Sequence, residues 1–188
     1  DDKVGEILKE DTTNNSIRIK DSIVIGNSGL APNTLGDNAI DLQGIRNDPA
    51  RTASGTRSFV GNGGNNTASG TRSFVGNGDT NTAYGAQSSV GNGGNNSASG
   101  ERSVVINGES NTASGERSVV INGENNTTSG DDSTVINGNS NTASEKNSVV
   151  INGFLTKTDN VAEVSTGPKI NSEIENSKLI NLPLGATF

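Results

Sequence analysis

Between Thr52 and Gly153 the chain repeats itself every 15 residues without insertion or deletion, with copies beginning at Thr52, Thr67, Thr82, Ser97, Thr112, Thr127 and Thr142. Segment 97–111 reads SASGERSVVINGESN and segment 112–126 reads TASGERSVVINGENN. Spacing this strict makes each copy one structural unit stacked on the next. A copy holds two short extended stretches, T-A-S and either S-V-V-I or S-F-V-G, with Ser-Gly on one side and Asn-Gly plus further Asn on the other. Those stretches are too short for helices, and glycine at that spacing would break one, while Ser, Asn and Gly are turn formers. The expected fold is therefore all-β: a parallel β-solenoid of 15-residue coils, with strands pairing between neighbours at about 4.8 Å.

Composition alone points elsewhere. Only 28% of the 188 residues are hydrophobic and 3% aromatic, against 25 glycines. So few apolar groups cannot offset the ordering entropy of a globular core, but stacked repeats bury a thin continuous core that needs few large side chains. The net charge of -7 argues against nucleic acid, which requires a basic footprint. Cys, His, Met and Trp are absent, which removes disulfides, His or Cys metal sites and Ser-His-Asp or Cys-His catalysis. No cofactor is implied. Without an initiating Met or a signal peptide, the chain reads as a piece of a longer, exported protein.

Reading the copies as columns separates two faces of the longer strand. Val60, Val75, Val90, Val105, Val120, Val135 and Val150 form one column. Side chains alternate along a strand, so the flanking positions face the other way. That face carries Phe59 with Gly61 and Phe74 with Gly76, then Val104 with Ile106 and Val119 with Ile121, and it ends on Ile136 and Ile151. A large–small pair giving way to two middle-sized residues is volume compensation in a packed layer. The Val and Ile columns are both expected to be structural core.

A strand apolar on both faces needs cover on both, and a thin coil has only one inside. Partner chains are the natural cover, the terminal segments of the same chain the alternative. On the shorter strand, Ala53, Ala68, Ala83, Ala98, Ala113 and Ala143 are expected inside, with Thr128 the exception, and Thr52 and Ser54 outside. Two Asn columns, Asn62 to Asn152 and Asn66 to Asn141, read as structural, since stacked amides bond along the axis and Asn tolerates the left-handed turn conformation.

Residues 1–153 are expected to form one β-roll unit, with the regular repeats over 52–153 and an irregular segment over 154–188. Ser22–Gly26 and Asn38–Leu42 look like degenerate long strands, and connections near Gly29–Asp37 and Gly44–Arg51 should leave the stack as loops.

The repeats resemble the heads of trimeric autotransporter adhesins, the YadA-like family, whose head pattern is N-S-V-A-I-G followed by a turn and A-x-A-x-G. Asp21-Ser22-Ile23-Val24-Ile25-Gly26 is the nearest match, and Asn147-Ser148-Val149-Val150-Ile151-Asn152-Gly153 matches with one Asn inserted. The terminal Lys178–Phe188, KLINLPLGATF, resembles the opening of that family's neck. The central Val and the 15-residue period depart from the family pattern. The resemblance implies a left-handed parallel β-roll, a homotrimer about one axis, and display at the Gram-negative cell surface through an outer-membrane anchor beyond this segment. It also implies a host partner: a CEACAM-type receptor, or a matrix protein such as collagen, fibronectin or laminin.

On such a head the receptor-binding candidates are exposed Tyr84 and the stripes Arg57–Arg72 and Arg102–Arg117. Against receptor binding, Arg and Glu in neighbouring coils can simply pair, at little net value. Rival functions are an ice-binding solenoid built on the T-A-S ladder and a phage tail-fibre segment. Calcium-loaded repeats need an Asp-containing nine-residue signature, which Gly63-Gly64-Asn65-Asn66 lacks. A polysaccharide-cleaving solenoid needs clustered carboxylates, and Asp131 with Asp132 sits in a column continued by Glu101 and Glu116, a solvated charge stripe. The glycosylation sequons at Asn14, Asn65, Asn95 and Asn125 are by-products of composition and repetition.

Overall fold

A computed structural model describes residues 35–168 apart from 46, 159 and 162, together with the strands Lys9–Asp11, Ser16–Arg18 and Ile23–Val24. The neck-like Lys178–Phe188 lies outside the described residues. Equivalent residues of successive copies pair side by side, as strict repetition demands: Val75 with Val90, Val105 with Val120, Ala98 with Ala113. The result is a parallel β-solenoid of about eight turns with coils of about 15 residues.

The longer stretches stack into a ten-stranded sheet and the shorter ones into a seven-stranded sheet. A third column of single bridges, Ile45 to Gly64, Asp79, Gly94, Glu109, Glu124 and Asn139, runs down the Asn-Gly corner. Every coil thus passes from short strand through a Gly turn to long strand, then around the Asn-Gly corner to the next short strand.

The stack extends beyond the strict repeat at both ends. Ile40–Asp41 pairs with Phe59–Val60, and Ile23–Val24 pairs with Ile40–Asp41, as the degenerate segments suggest. Past Gly153, where the repeat was expected to stop, Lys157–Thr158 pairs with Thr142–Ala143 and Val164–Pro168 pairs with Val149–Phe154. The added coil keeps the 15-residue step as far as Thr166, shifts by one residue where Phe154 meets Pro168, and changes its letters. Thr158 replaces Ala and Ser165 replaces Val, so polar groups stand where the apolar columns would continue, and Thr156 replaces Asn at the end of the amide column.

The core is the space between the two sheets. The Val column from Val60 to Val150 and the Ala column are 0% exposed, because small Ala opposite Val lets the sheets approach closely. Thr128, also fully buried, interrupts the Ala column, and the core divides there into one cluster ending at Val120 and another made of Val135, Ala143 and Val150. The Ile column does not share this core. Ile106 is 39% exposed and Ile121, Ile136 and Ile151 are half-buried on the opposite face.

One buried column is polar without obvious need. The hydroxyls of Ser58, Ser73, Ser88, Ser103, Ser118 and Ser133 are buried with no hydrogen-bond partner. Ser148, in the same column, donates to the Glu145 carbonyl at 2.7 Å. Ala39 holds the equivalent place beside Ile40 and is completely buried. The column therefore demands a small side chain more than a hydroxyl. Ser118→Ala is expected to leave stability within about 0.5 kcal/mol of the parent or raise it, since no bonded partner is stranded; urea unfolding of the variant would show it.

A buried amide ladder closes the Asn-Gly corner. The Oδ1 of Asn66 accepts from the Asn81 N–H, and the pattern continues through Asn96, Asn111, Asn126 and Asn141 at 3.0 Å each. The Nδ2 of each reaches the glycine carbonyl one coil on, as from Asn96 to Gly108 at 2.8 Å. Gln43 Oε1 accepts from the Asn66 N–H at one end, and the Thr156 N–H donates to Asn141 Oδ1 at the other. The exposed Asn column bonds less completely, with Asn107, Asn122, Asn137 and Asn152 linked side chain to side chain at 3.1 to 3.2 Å.

Asp41 occupies the Val column in the coil before Val60 and is fully buried. Its carboxylate accepts from Thr52 Oγ1 at 2.7 Å, the Ala53 N–H at 3.2 Å, and both the N–H and Nε2 of Gln43. A buried carboxylate persists only when its lone pairs are filled in this way. The arrangement explains a departure from expectation: Thr52, assigned to the outside, is 1% exposed because its hydroxyl turns inward to Asp41. Asp41 and Gln43 thereby fix the first T-A-S segment just after the connection spanning Gly44–Arg51.

Candidate interaction surface

The outer face of the ten-stranded sheet carries a long run of apolar side chains. Phe59 and Phe74 stack with ring centroids 5.3 Å apart and planes 6° from parallel. Each ring lies over the glycine two residues on: a Cβ on Gly61 would stand 2.9 Å from Phe59 Cε1, and one on Gly76 would stand 3.1 Å from Phe74 Cε1. The large–small reading of these pairs holds at atomic level. Below them come Ser89 with Gly91, a shallow step, and then Val104, Ile106, Val119, Ile121, Thr134, Ile136, Val149 and Ile151. The described residues leave this face partly open: Phe74 is 41% exposed, and the others lie between half-buried and exposed.

The four arginine candidates all sit in the Gly turn that enters the long strand. Arg57, Arg72, Arg102 and Arg117 adopt φ near +55 to +58°, in a column continued by Gln87, Asp132 and Asn147. The left-handed conformation turns these side chains out to solvent at one edge of the apolar face. Arg102 meets Glu101 at 2.9 Å, Glu116 at 3.8 Å and Gln87 Oε1 at 3.2 Å. Arg117 pairs with Glu116 and grips Asp132 through two nitrogens at 2.6 and 3.0 Å. That hydrogen bond, with the positive charge behind it, holds the Asp132 carboxyl below its ordinary value. Arg57 and Arg72 have no ion-pair partner among the described residues.

The opposite edge of the face is acidic. Asp79, Glu109 and Glu124 project from the bridge column at the Asn-Gly corner, and all three are exposed. Asp79 takes hydrogen bonds from Thr80 Oγ1 at 2.9 Å and Asn65 Nδ2 at 3.5 Å, and Glu124 from Asn125 and Asn139 Nδ2 at 3.2 and 3.1 Å. These are neutral donors. Among the described residues no cation touches the three carboxylates.

Tyr84 closes the short strand of its coil and is 69% exposed. It stands beside the in-register ladder of Thr67, Thr82, Ser97, Thr112, Thr127 and Thr142. The candidates therefore divide between two surfaces: Tyr84 borders the short-strand face, and the arginines border the long-strand face. Sequence reasoning did not single out Asp79, Glu109 or Glu124, because each reads as an ordinary turn substituent until the corner column is seen. No group of three or more acidic side chains among the described residues is close enough to hold a metal ion. No protein-family model matches this chain, and no curated protein matches it.

Proposed function

We propose that this chain is the head of a trimeric bacterial surface adhesin, in which three left-handed β-rolls pack their long-strand sheets about one axis and turn the short-strand faces outward to a host partner. The supporting observation is the open apolar face, which runs from Phe59 down to Ile151. A contiguous apolar stripe of this length is rarely left to water, and a three-fold ring covers it with copies of itself. The partner in this reading is a matrix protein or a CEACAM-type receptor, held by many weak contacts made firm through avidity. Display follows from an outer-membrane anchor outside this sequence. The T-A-S ladder suits an ice surface less well, because Tyr84 stands proud of what would have to be a flat face.

Light scattering on the folded chain is expected to return the mass of three chains. A monodisperse folded monomer at all concentrations would reject the trimer. On the trimer, Tyr84→Ala is expected to weaken host-protein binding by roughly tenfold, the order of an aromatic anchor at an interface. Unchanged binding would move the contact away from Tyr84.

A further inference from the structure

The charges at the two edges of the apolar face follow one another coil by coil. Arg72 and Asp79 share a coil, as do Arg102 with Glu109 and Arg117 with Glu124. Where the arginine position holds Gln87, Asp132 or Asn147, the acidic position holds Gly94, Asn139 or Phe154. Arg57 lies opposite Gly64 and is outside the pattern. Within one chain these charges cannot meet, since the arginine turn precedes the long strand and the acidic corner follows it.

Resting on the trimer reading above, we infer that the matched edges form an interchain charge register, in which the arginine edge of one chain meets the acidic edge of the next at the same height. A three-fold ring is heterologous, so each interface joins two different edges of the same sheet. At equal height every interface gains Arg72 against Asp79, Arg102 against Glu109 and Arg117 against Glu124. Sliding a neighbour by one coil in one direction keeps only Arg117 against Glu109 and sets Asp132 against Glu124, a repulsion. Sliding it in the other direction keeps two pairs, Arg57 with Asp79 and Arg102 with Glu124. The level arrangement is therefore the best matched of the three, which is how charge fixes register more than it adds affinity. The apolar face marks height only at the Phe59–Phe74 stack and the step at Ser89, because its Val and Ile residues repeat from coil to coil. This role moves the arginines from receptor contact to assembly.

Arg72 and Asp79 provide the test, since neither has a charged partner among the described residues of its own chain. Arg72→Asp, Asp79→Arg and the swap of both are compared by light scattering over a dilution series, in low salt and in about 1 M salt, where surface charges are screened. Arg72→Asp keeps a side chain that tolerates the left-handed conformation. Circular dichroism of each variant confirms the β-fold. Each single change creates three like-charge contacts per ring and is expected to raise the half-dissociation concentration at least tenfold in low salt. The swap should restore it to within about threefold, and high salt should erase the differences between variants. A parent trimer whose single variants are unaffected, or whose swap is no better than the singles, overturns the register and leaves the trimer standing. A parent chain that is monomeric throughout overturns both.

Discussion

Asn111→Ala is expected to lower stability by about 3–4 kcal/mol, although it removes a single small polar side chain from a chain rich in asparagine. Asn111 Oδ1 accepts from both the N–H and Nδ2 of Asn126, while its Nδ2 donates to Asn96 Oδ1 and to the carbonyls of Asn107 and Gly123. Truncation leaves the buried Asn126 N–H without an acceptor, and a stranded buried donor loses far more than an average hydrogen bond contributes. The coils touch only their neighbours, so the damage should centre on the interface between the coils of Asn111 and Asn126. Hydrogen exchange is the sharpest check: protection should fall most at Asn126 and adjacent amides. The control is Asn107→Ala in the exposed Asn column, expected to lose less than about 1 kcal/mol because water replaces its bond to Asn122. Equal losses at the two positions would show that burial of the ladder is not what matters.

Gly93→Ala and Gly94→Ala should part company, although the two residues are adjacent. Gly93 has φ +110°, and a Cβ there would stand 2.0 Å from the Gly108 carbonyl oxygen and 2.8 Å from Asn96 Nδ2. Both the backbone conformation and the next coil exclude a methyl group, so a loss of about 4 kcal/mol or more is expected, in the range reserved for disrupted cores and special backbone sites. At Gly94 the nearest atom to an added Cβ is the Asp79 carbonyl oxygen at 4.0 Å, and φ is unexceptional. The same column accommodates Asp79, Glu109 and Glu124. Gly94→Ala should therefore be neutral or stabilising by up to about 1 kcal/mol, through a less mobile unfolded chain. Thermal melts of the two variants against the parent suffice. A Gly93→Ala protein as stable as the parent would falsify the tight coil-to-coil approach at this corner.

The parts of this fold that could be read directly were those carried by parity and period. Val60 to Val150 and the Ala column could be placed inside because alternation along a strand has two outcomes and the copies agree. The Ile column was harder. Its residues are as apolar as the Val column, yet within one chain they face outward, and nothing in a residue's identity says which of two apolar faces a single coil can fill. The coil beyond Gly153 escaped notice because Thr156, Thr158 and Ser165 keep the spacing while abandoning the letters. Asp41 and Gln43 were invisible for a related reason: each is one polar residue in a degenerate copy, and its partners Thr52, Ala53 and Asn66 come from later in the chain. The acidic edge becomes a surface feature only when the corner column aligns Asp79, Glu109 and Glu124.

In-register stacking of near-identical coils has a kinetic side. A slip of one whole repeat exchanges Val105 for Val120, Ala98 for Ala113 and Asn96 for Asn111, and the core it builds is the one it left. Most β-sheets reject a shifted pairing because it turns apolar side chains to water, but this chain has no such penalty for shifts of 15 residues. What distinguishes one coil from another is its irregularities: the Phe59–Phe74 stack, the step at Ser89, Thr128 in the Ala column, and the polar coils at Asp41 and Thr156. These act as addresses. A version of the chain made uniform by replacing Ser89 and Thr128 with the commonest residues of their columns would hold a more regular core and lose its means of telling correct folding from a folding error one coil away.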